Sequence, residues 1–114
     1  MALHRKHRAQ RGIDYTALVC ERDVLAVTAL LELESEGIRV PEEVSVLGYD
    51  DLPIASESIP PLTTVHHNIA EIIDMAVDHL VKRVQRENVD RIQRVFEHAL
   101  VVRGSTGVAP RDVV

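Results

Sequence analysis

The sequence has few of the residues from which several common kinds of site are built. Its 114 residues include no tryptophan and only 3% aromatic residues, which argues against the stacking surfaces that bind single-stranded nucleic acid. Cys20 is the only cysteine, so no disulfide can form within the chain. The five glycines are scattered and form no phosphate-binding loop, and no Gly-x-Ser-x-Gly motif is present. We therefore expect no catalytic residues, no cofactor and no enzymatic activity.

No apolar stretch approaches the roughly 18 residues that a membrane helix needs. The first residues also lack the apolar core of a secretory signal, so the sequence predicts a cytoplasmic protein. Because 46% of the residues are apolar and 27% are charged, we expect one small folded domain rather than a disordered chain.

The net charge of −5 is unevenly distributed. Residues 1–12 carry four basic side chains and no acidic one, so the other 102 residues have a formal charge of −9. An acidic body does not favour binding to a phosphate backbone. The basic segment, residues 1–14, is either an arm for an anionic partner, a solvated helix face or the end of a helix.

The first half of the chain has the pattern of a strand–helix–strand unit. Residues 15–20 and 44–49 are short apolar runs typical of strands with both faces covered, as in a parallel sheet. Asp23 stands where a helix N-cap is expected, and Gly37 fits the left-handed residue that ends a helix. The apolar stripe between them contains Val24, Val27, Leu30 and Leu31, with Leu25 and Ala29 widening it.

The second half predicts a loop, one long helix and a last strand. Residues 52–61 contain Pro60-Pro61, which favours extended backbone, and residues 62–65 form a short extended segment. Asn68 and Glu71 have the spacing of a capping box before a helix whose apolar residues recur at helical spacing from 69 to 84. Residues 95–103 predict a strand. The fold class is therefore α/β with a mostly parallel sheet.

Two aspartates follow the second predicted strand, at the sheet edge where α/β proteins bind ligands. Asp50 can accept hydrogen bonds from a sugar or base, or it can cap a turn. Asp23 follows the preceding strand and is either a ligand contact or a plain helix cap. His66-His67 does not predict a metal site, because neighbouring side chains of an extended segment point to opposite faces.

Several segments together resemble the C-terminal part of LacI/GalR-type bacterial transcription regulators. They are Thr-Ala-Leu-Val-Cys followed by an aspartate that opens a helix, the stretch Glu-Gly-Ile-Arg-Val-Pro-Glu-Glu-Val-Ser-Val-Leu-Gly-Tyr-Asp-Asp, Pro-Pro-Leu-Thr-Thr-Val, and Leu-Val-Val-Arg-Gly-Ser-Thr. The resemblance covers residues 15–107. It implies a periplasmic-binding-protein-like core of two Rossmann-like lobes that binds a small effector, such as a sugar, between them.

The resemblance also implies a domain organisation. Residues 15–61 would belong to the C-terminal lobe, 62–66 to a crossover, 68–86 to a helix of the N-terminal lobe and 94–103 to a strand returning across the hinge, before a tail at 108–114. Such regulators are homodimers or tetramers, and they bind operator DNA through an N-terminal helix-turn-helix that does not occur in this sequence.

The family's residue roles carry over to three ligand positions. Asp50 matches the aspartate that hydrogen-bonds the effector, and Asp23 matches the acidic residue opening the helix. Arg22 stands where the family often has asparagine, which favours an anionic ligand or a carboxylate partner such as Asp50. The dimer surface implied by the resemblance consists of Val24, Val27, Leu31, Ile54, Ser58 and Ile59.

Much of the family's core does not occur in this sequence, so we expect exposed strand edges and an exposed apolar stripe on helix 69–84. We predict that the chain associates into an oligomer or a swapped dimer. The alternatives to a regulator fragment are a fragment of a sugar-binding protein with the same fold and a separate interaction module that completes another regulator's core.

Overall fold

The structure is a computed structural model that describes residues 12–111. The basic side chains of the first 11 residues, and any helix end that they form, lie outside the described residues. The last three residues of the predicted tail lie outside them as well.

The strand–helix–strand unit predicted from the sequence is confirmed. Strand β1 (Ala17–Val19) leads into helix α1 (Asp23–Ser35), which is followed by strand β2 (Ser45–Leu47). The two strands pair in parallel, with Leu18 opposite Val46. Gly37 has φ +69° and its N–H donates to the carbonyl of Glu34, so it ends the helix as expected.

The core lies between α1, β2 and the segment that follows. Helix α1 buries one face, which consists of Ala26, Leu30 and Leu33, at the i, i+4 and i+7 spacing of a helix. The predicted apolar stripe was therefore partly wrong, because Val24 and Leu31 are exposed. The core residues that the helix meets are Ile38, Val44, Val46, Ala55 and Leu62.

Two further expectations from the first half of the chain were wrong. Strand β1 is not covered on both faces, since Val19 is 72% exposed and β2 is its only strand partner among the described residues. The predicted loop at 52–61 contains a short helix, α2 (Pro53–Glu57). Proline is favoured in the first turn of a helix, because its missing N–H would have no partner there, and burial of Ala55 fixes this helix to the core.

A second pair of strands follows. Strand β3 (Thr64–His66) pairs antiparallel with strand β4 (Ala99–Val101). The two strand pairs are linked by a parallel bridge between Leu47 and Thr63. The predicted last strand is confirmed in kind, but it begins at Ala99 rather than at residue 95.

Helix α3 (Ile69–Val84) connects β3 to the last segment of the chain. The expected capping interaction is present, since the N–H of Glu71 donates to Oδ1 of Asn68 at 3.3 Å. None of the residues of α3 is buried, which confirms the expected exposed apolar stripe. The exposed apolar side chains of this stripe are Ile69, Ile73, Val77, Leu80, Val81 and Val84.

Candidate functional site

The carboxyl end of β2 carries Asp50 and Asp51, as the sequence predicts. Both residues have positive φ, +111° for Asp50 and +56° for Asp51, which is uncommon outside glycine. Such backbone costs on the order of 1–3 kcal/mol per residue and persists where surrounding contacts hold it. Here the N–H of Asp50 donates to the carbonyl of Val65 at 3.0 Å, which ties the two aspartates to β3.

The side chain of Asp51 is held on both oxygens. Arg103 donates to its Oδ1 at 2.7 Å, and Nδ1 of His66 lies 2.9 Å from its Oδ2. The hydrogen bond from the Arg103 guanidinium holds the pKa of Asp51 below its ordinary value, with His66 adding to the effect. Arg103 also donates to the carbonyl of Leu62 at 3.0 Å. Asp51 therefore fastens the end of β2 to the segments around β3 and β4.

The side chain of Asp50 has a different partner. Its Oδ1 lies 3.0 Å from Nε2 of His67, and the carboxylate remains 29% exposed. The ring of Tyr49 stacks on His67 with centroids 5.5 Å apart, and the Tyr49 hydroxyl lies 2.7 Å from Nδ1 of His98. Asp50 is thus an oriented carboxylate that is still open to solvent.

Asp23 lies beneath this corner rather than on its surface. It is fully buried, and its carboxylate accepts hydrogen bonds from the backbone N–H of Leu52 at 2.7 Å and from Oγ1 of Thr64 at 2.5 Å. The helix-cap interpretation was wrong, because Arg22 is the N-cap residue and no side chain caps the helix. A ligand that touched Asp23 would have to replace one of these internal hydrogen bonds.

The close packing of the Asp23 side chain against the backbone depends on Gly48. A Cβ atom at this position would collide with Oδ1 of Asp23 and approach Leu62 Cδ2 to 2.8 Å. The glycine of the Gly-Tyr-Asp-Asp sequence therefore gives the buried carboxylate its space.

Arg22 does not pair with Asp50. Its guanidinium lies 3.7 Å from Oε1 of Glu21, and its side chain is 64% exposed. An ion pair this exposed contributes little to stability.

The predicted dimer residues lie on α1 and around α2. Val24, Leu31 and Ile59 are 55%, 63% and 88% exposed, and Ile54 is 38% exposed. Val27 and Ser58 are half-buried. Ser58 uses its hydroxyl locally, donating to the carbonyls of Ala55 and Pro60.

The two neighbouring histidines contact two different carboxylates, which sequence reasoning missed. His66 and His67 were considered only as metal ligands, and within residues 12–111 no group of three His, Cys, Asp or Glu residues could hold a metal ion. A usable signal was present, because an Asp-Asp pair after β2 and a His-His pair at the end of β3 meet when those strands are neighbours. The distant partners Arg103 and His98 had no such signal.

Two remaining features have no part in this corner. Cys20 is half-buried, and burial raises the pKa of its thiol.

In the described part of the chain, no helix combines the length and apolarity required to cross a membrane.

Comparisons with known proteins agree with this geometry. The sequence profile of the periplasmic binding protein-like domain matches residues 2–106, so the chain belongs to that family. The HTH-type transcriptional regulator MalR of Streptomyces coelicolor is 39% identical over 101 residues, which are 89% of this chain and 29% of the relative. The resemblance to the C-terminal part of LacI/GalR-type regulators is thereby confirmed.

Two solved structures show the same fold. A complex of the transcriptional regulator CelR with cellobiose has a TM-score of 0.78 at 34% identity, covering 91% of this chain and 32% of that one. A LacI family regulator from Lactobacillus casei with bound sucrose has a TM-score of 0.73 at 28% identity, covering 92% and 38%. The chain thus spans less than two fifths of the length of each of these relatives.

Proposed function

We propose that this chain contributes to effector binding and dimerisation in a cytoplasmic, non-enzymatic transcription regulator of the LacI/GalR type. In this proposal the effector is a sugar or a related small metabolite, and the complete protein binds operator DNA through a helix-turn-helix domain outside these residues. The observation that carries the proposal is the oriented, partly exposed carboxylate of Asp50 at the carboxyl end of a parallel strand.

The chemistry of Asp50 suits a ligand with hydroxyl or N–H donors. A carboxylate accepts up to four hydrogen bonds, and His67 uses only part of that capacity. Support for a sugar comes from the relatives described with cellobiose and with sucrose.

Arg22 extends the proposal to effectors that carry a negative charge. Its exposed guanidinium provides donors in a planar fork that suits phosphate or carboxylate groups. A phosphorylated or oxidised sugar would use both Arg22 and Asp50, whereas an uncharged sugar would use mainly Asp50. Asp23 acts in this proposal by holding the backbone of Leu52, directly after the two aspartates.

The direct test is the affinity of the complete gene product for cellobiose, sucrose and glucose 6-phosphate, measured by titration calorimetry. Replacing Asp50 with alanine removes a hydrogen bond to a charged group, which costs about 1.5–3 kcal/mol, or about ten- to a hundredfold in Kd. Asp78→Ala, on the outer face of α3, is the matched control and should leave the affinity unchanged. Equal affinities for the unaltered protein and Asp50→Ala would remove Asp50 from the site.

A dimerisation role rests on a separate observation, the exposed apolar side chains of α1 and α2. Val24, Leu31 and Ile59 form the most exposed part of this surface. Apolar side chains that stay in water on a small domain indicate a contact with another protein surface. The rival interpretation, a separate interaction module that completes another regulator's core, predicts mixed oligomers with such a regulator.

A further inference from the structure

We propose that His67 is the positioning residue for Asp50, and that its N–H donor sets the affinity of the site for a sugar. The inference deepens the proposed function and rests on it. Its first support is the pairing itself, because Nε2 of His67 lies 3.0 Å from Oδ1 of Asp50. The other carboxylate oxygen, Oδ2, has no such partner among the hydrogen bonds of the described residues that involve Asp50, and it is therefore the oxygen offered to a ligand.

The imidazole of His67 is itself held in place. Its side chain is 15% exposed, against 29% for Asp50, so the histidine is the more buried member of the pair. Tyr49 stacks on the ring with an interplanar angle of 28°, and the ring of His98 lies 5.3 Å away. A rigid donor in contact with an exposed acceptor selects one orientation of that acceptor, which reduces the cost of ordering it when a ligand binds.

The three segments that meet at His67 give it a defined set of charged and titratable neighbours. Tyr49 and Asp50 face it from the loop after β2, and His98 faces it from the segment before β4. The second cluster at this corner consists of Asp51, His66 and Arg103. In that cluster Arg103 supplies a permanent positive charge to its aspartate, whereas Asp50 has only a histidine.

The consequence for ligand binding follows from this contact. The N–H of His67 holds Oδ1 of Asp50, so Oδ2 is presented in one orientation to a hydroxyl group of the ligand. Removing that N–H should therefore weaken the binding of a sugar.

The test compares two substitutions that separate the ring from its proton donor. His67→Gln keeps an N–H donor without the ring, and His67→Phe keeps a stacking ring without a donor. Cellobiose and sucrose affinities of the complete gene product are measured by calorimetry, after thermal melting has established that each variant is folded. We expect His67→Phe to bind about tenfold more weakly or worse.

His67→Gln should bind within a few-fold of the unaltered protein, because its amide N–H replaces the imidazole donor. His66→Phe is the matched control, because this neighbouring histidine contacts Asp51, and it should weaken binding less than His67→Phe does. Full affinity in His67→Phe, or an equal loss in His67→Phe and His67→Gln, would overturn the proposal while the unaltered protein still binds sugar.

The failure of the proposed function would look different, since the unaltered protein would then bind none of cellobiose, sucrose and glucose 6-phosphate. A measurement without ligand covers that case. Long-range ¹H–¹⁵N NMR spectra of the unliganded protein should show an Nε2 proton on His67 that Asp50→Asn alters and Asp78→Asn does not. Spectra that Asp50→Asn leaves unchanged would show that the pair does not exist and would overturn the proposal without any ligand.

Discussion

At the scale of single residues, the site depends on buried polar groups more than on the aspartates that the sequence displays. The carboxylate of Asp23 is fully buried and relies on Thr64 and on the backbone of Leu52 for its hydrogen bonds. A buried acceptor that loses its donor keeps the cost of having been removed from water. Asp23 is therefore the residue whose partners should matter most for folding.

Replacing Thr64 with valine should destabilise the protein by about 1–3 kcal/mol, because valine has the same shape but cannot donate to Asp23. The measurement is urea unfolding followed by circular dichroism. Thr28→Val is the matched control, since its hydroxyl donates to the backbone on the exposed side of α1, and its effect should stay below about 0.5 kcal/mol. Equal stability of the Thr64 variant and the control would show that Thr64 does not support the carboxylate.

The contact between Asp51 and Arg103 leads to a prediction of how the stability of the protein depends on pH. Because Arg103 lowers the pKa of Asp51 in the folded protein, the unfolded chain binds a proton more readily than the folded one. The stabilisation is thus complete above the unfolded pKa of aspartate and is lost as the pH falls through the lower, folded value. Asp51→Asn should be less stable at neutral pH and should lose less of its remaining stability on acidification.

Acid titrations of the free energy of unfolding from pH 7 to pH 2 measure this difference. Asp78→Asn is the control, because Asp78 is exposed and its ion-pair partner among the described residues is Lys82. The acid-dependent loss should shrink in Asp51→Asn and stay unchanged in the control. If the free energy of unfolding depends on pH in the same way in the unaltered protein and in Asp51→Asn, Arg103 does not stabilise the ionised form of Asp51.

At the scale of elements, the sequence predicted those structures that depend on local signals. The strand–helix–strand unit, the glycine at the end of α1 and the cap of α3 follow from periodicity and from residues three or four positions apart. The short helix α2 was missed because the proline-rich composition around it favours a loop, and burial of Ala55 decides otherwise.

The residues of the candidate site were likewise predictable only where the signal is local in sequence. Asp50 was predictable from its place after a strand, whereas its contact with His67 depends on the pairing of β2 with the chain before β3. Arg103 reaches Asp51 over 52 positions of sequence, and no local pattern carries that information. For Asp23 the helix-cap alternative was wrong, although an aspartate at the start of a helix is usually a cap.

Helix α3 allows a test of local stabilisation, because none of its residues is buried. Asn68→Ala removes the side-chain acceptor for the N–H of Glu71 and should cost about 1 kcal/mol of helix stability. Lower ellipticity at 222 nm and faster amide exchange in the first turn of α3 are the expected results. Asn88→Ala, in the segment after the helix, is the control. An unchanged first turn would mean that the helix start is fixed by other contacts.

At the scale of the whole molecule, the described chain is extended rather than compact. Its radius of gyration is 19.9 Å, whereas a compact chain of this length has about 13 Å. The extents are 68 × 27 × 21 Å, and no residue of α3 is buried against the core around α1 and β2. An extended shape with apolar side chains on two helices leaves much surface for contacts with other protein surfaces.

We therefore predict that the chain does not stay monomeric at micromolar concentration, and that the α1 surface contributes to its association. Leu31 is 63% exposed, so Leu31→Glu should leave the fold intact while placing a charge in the contact, which raises the dissociation constant about tenfold or more. Sedimentation velocity over a concentration series measures this shift.

Val77→Glu, on the apolar face of α3, distinguishes the two surfaces, because Val77 is 52% exposed and lies on the other helix. If the α1 surface carries the contact, Leu31→Glu weakens association and Val77→Glu does so to a smaller extent. The reverse order would assign the contact to α3 and remove Val24, Val27 and Leu31 from the interface. A single monomeric species for the unaltered chain at all concentrations would refute the prediction of association, since neither apolar surface would then need a protein partner.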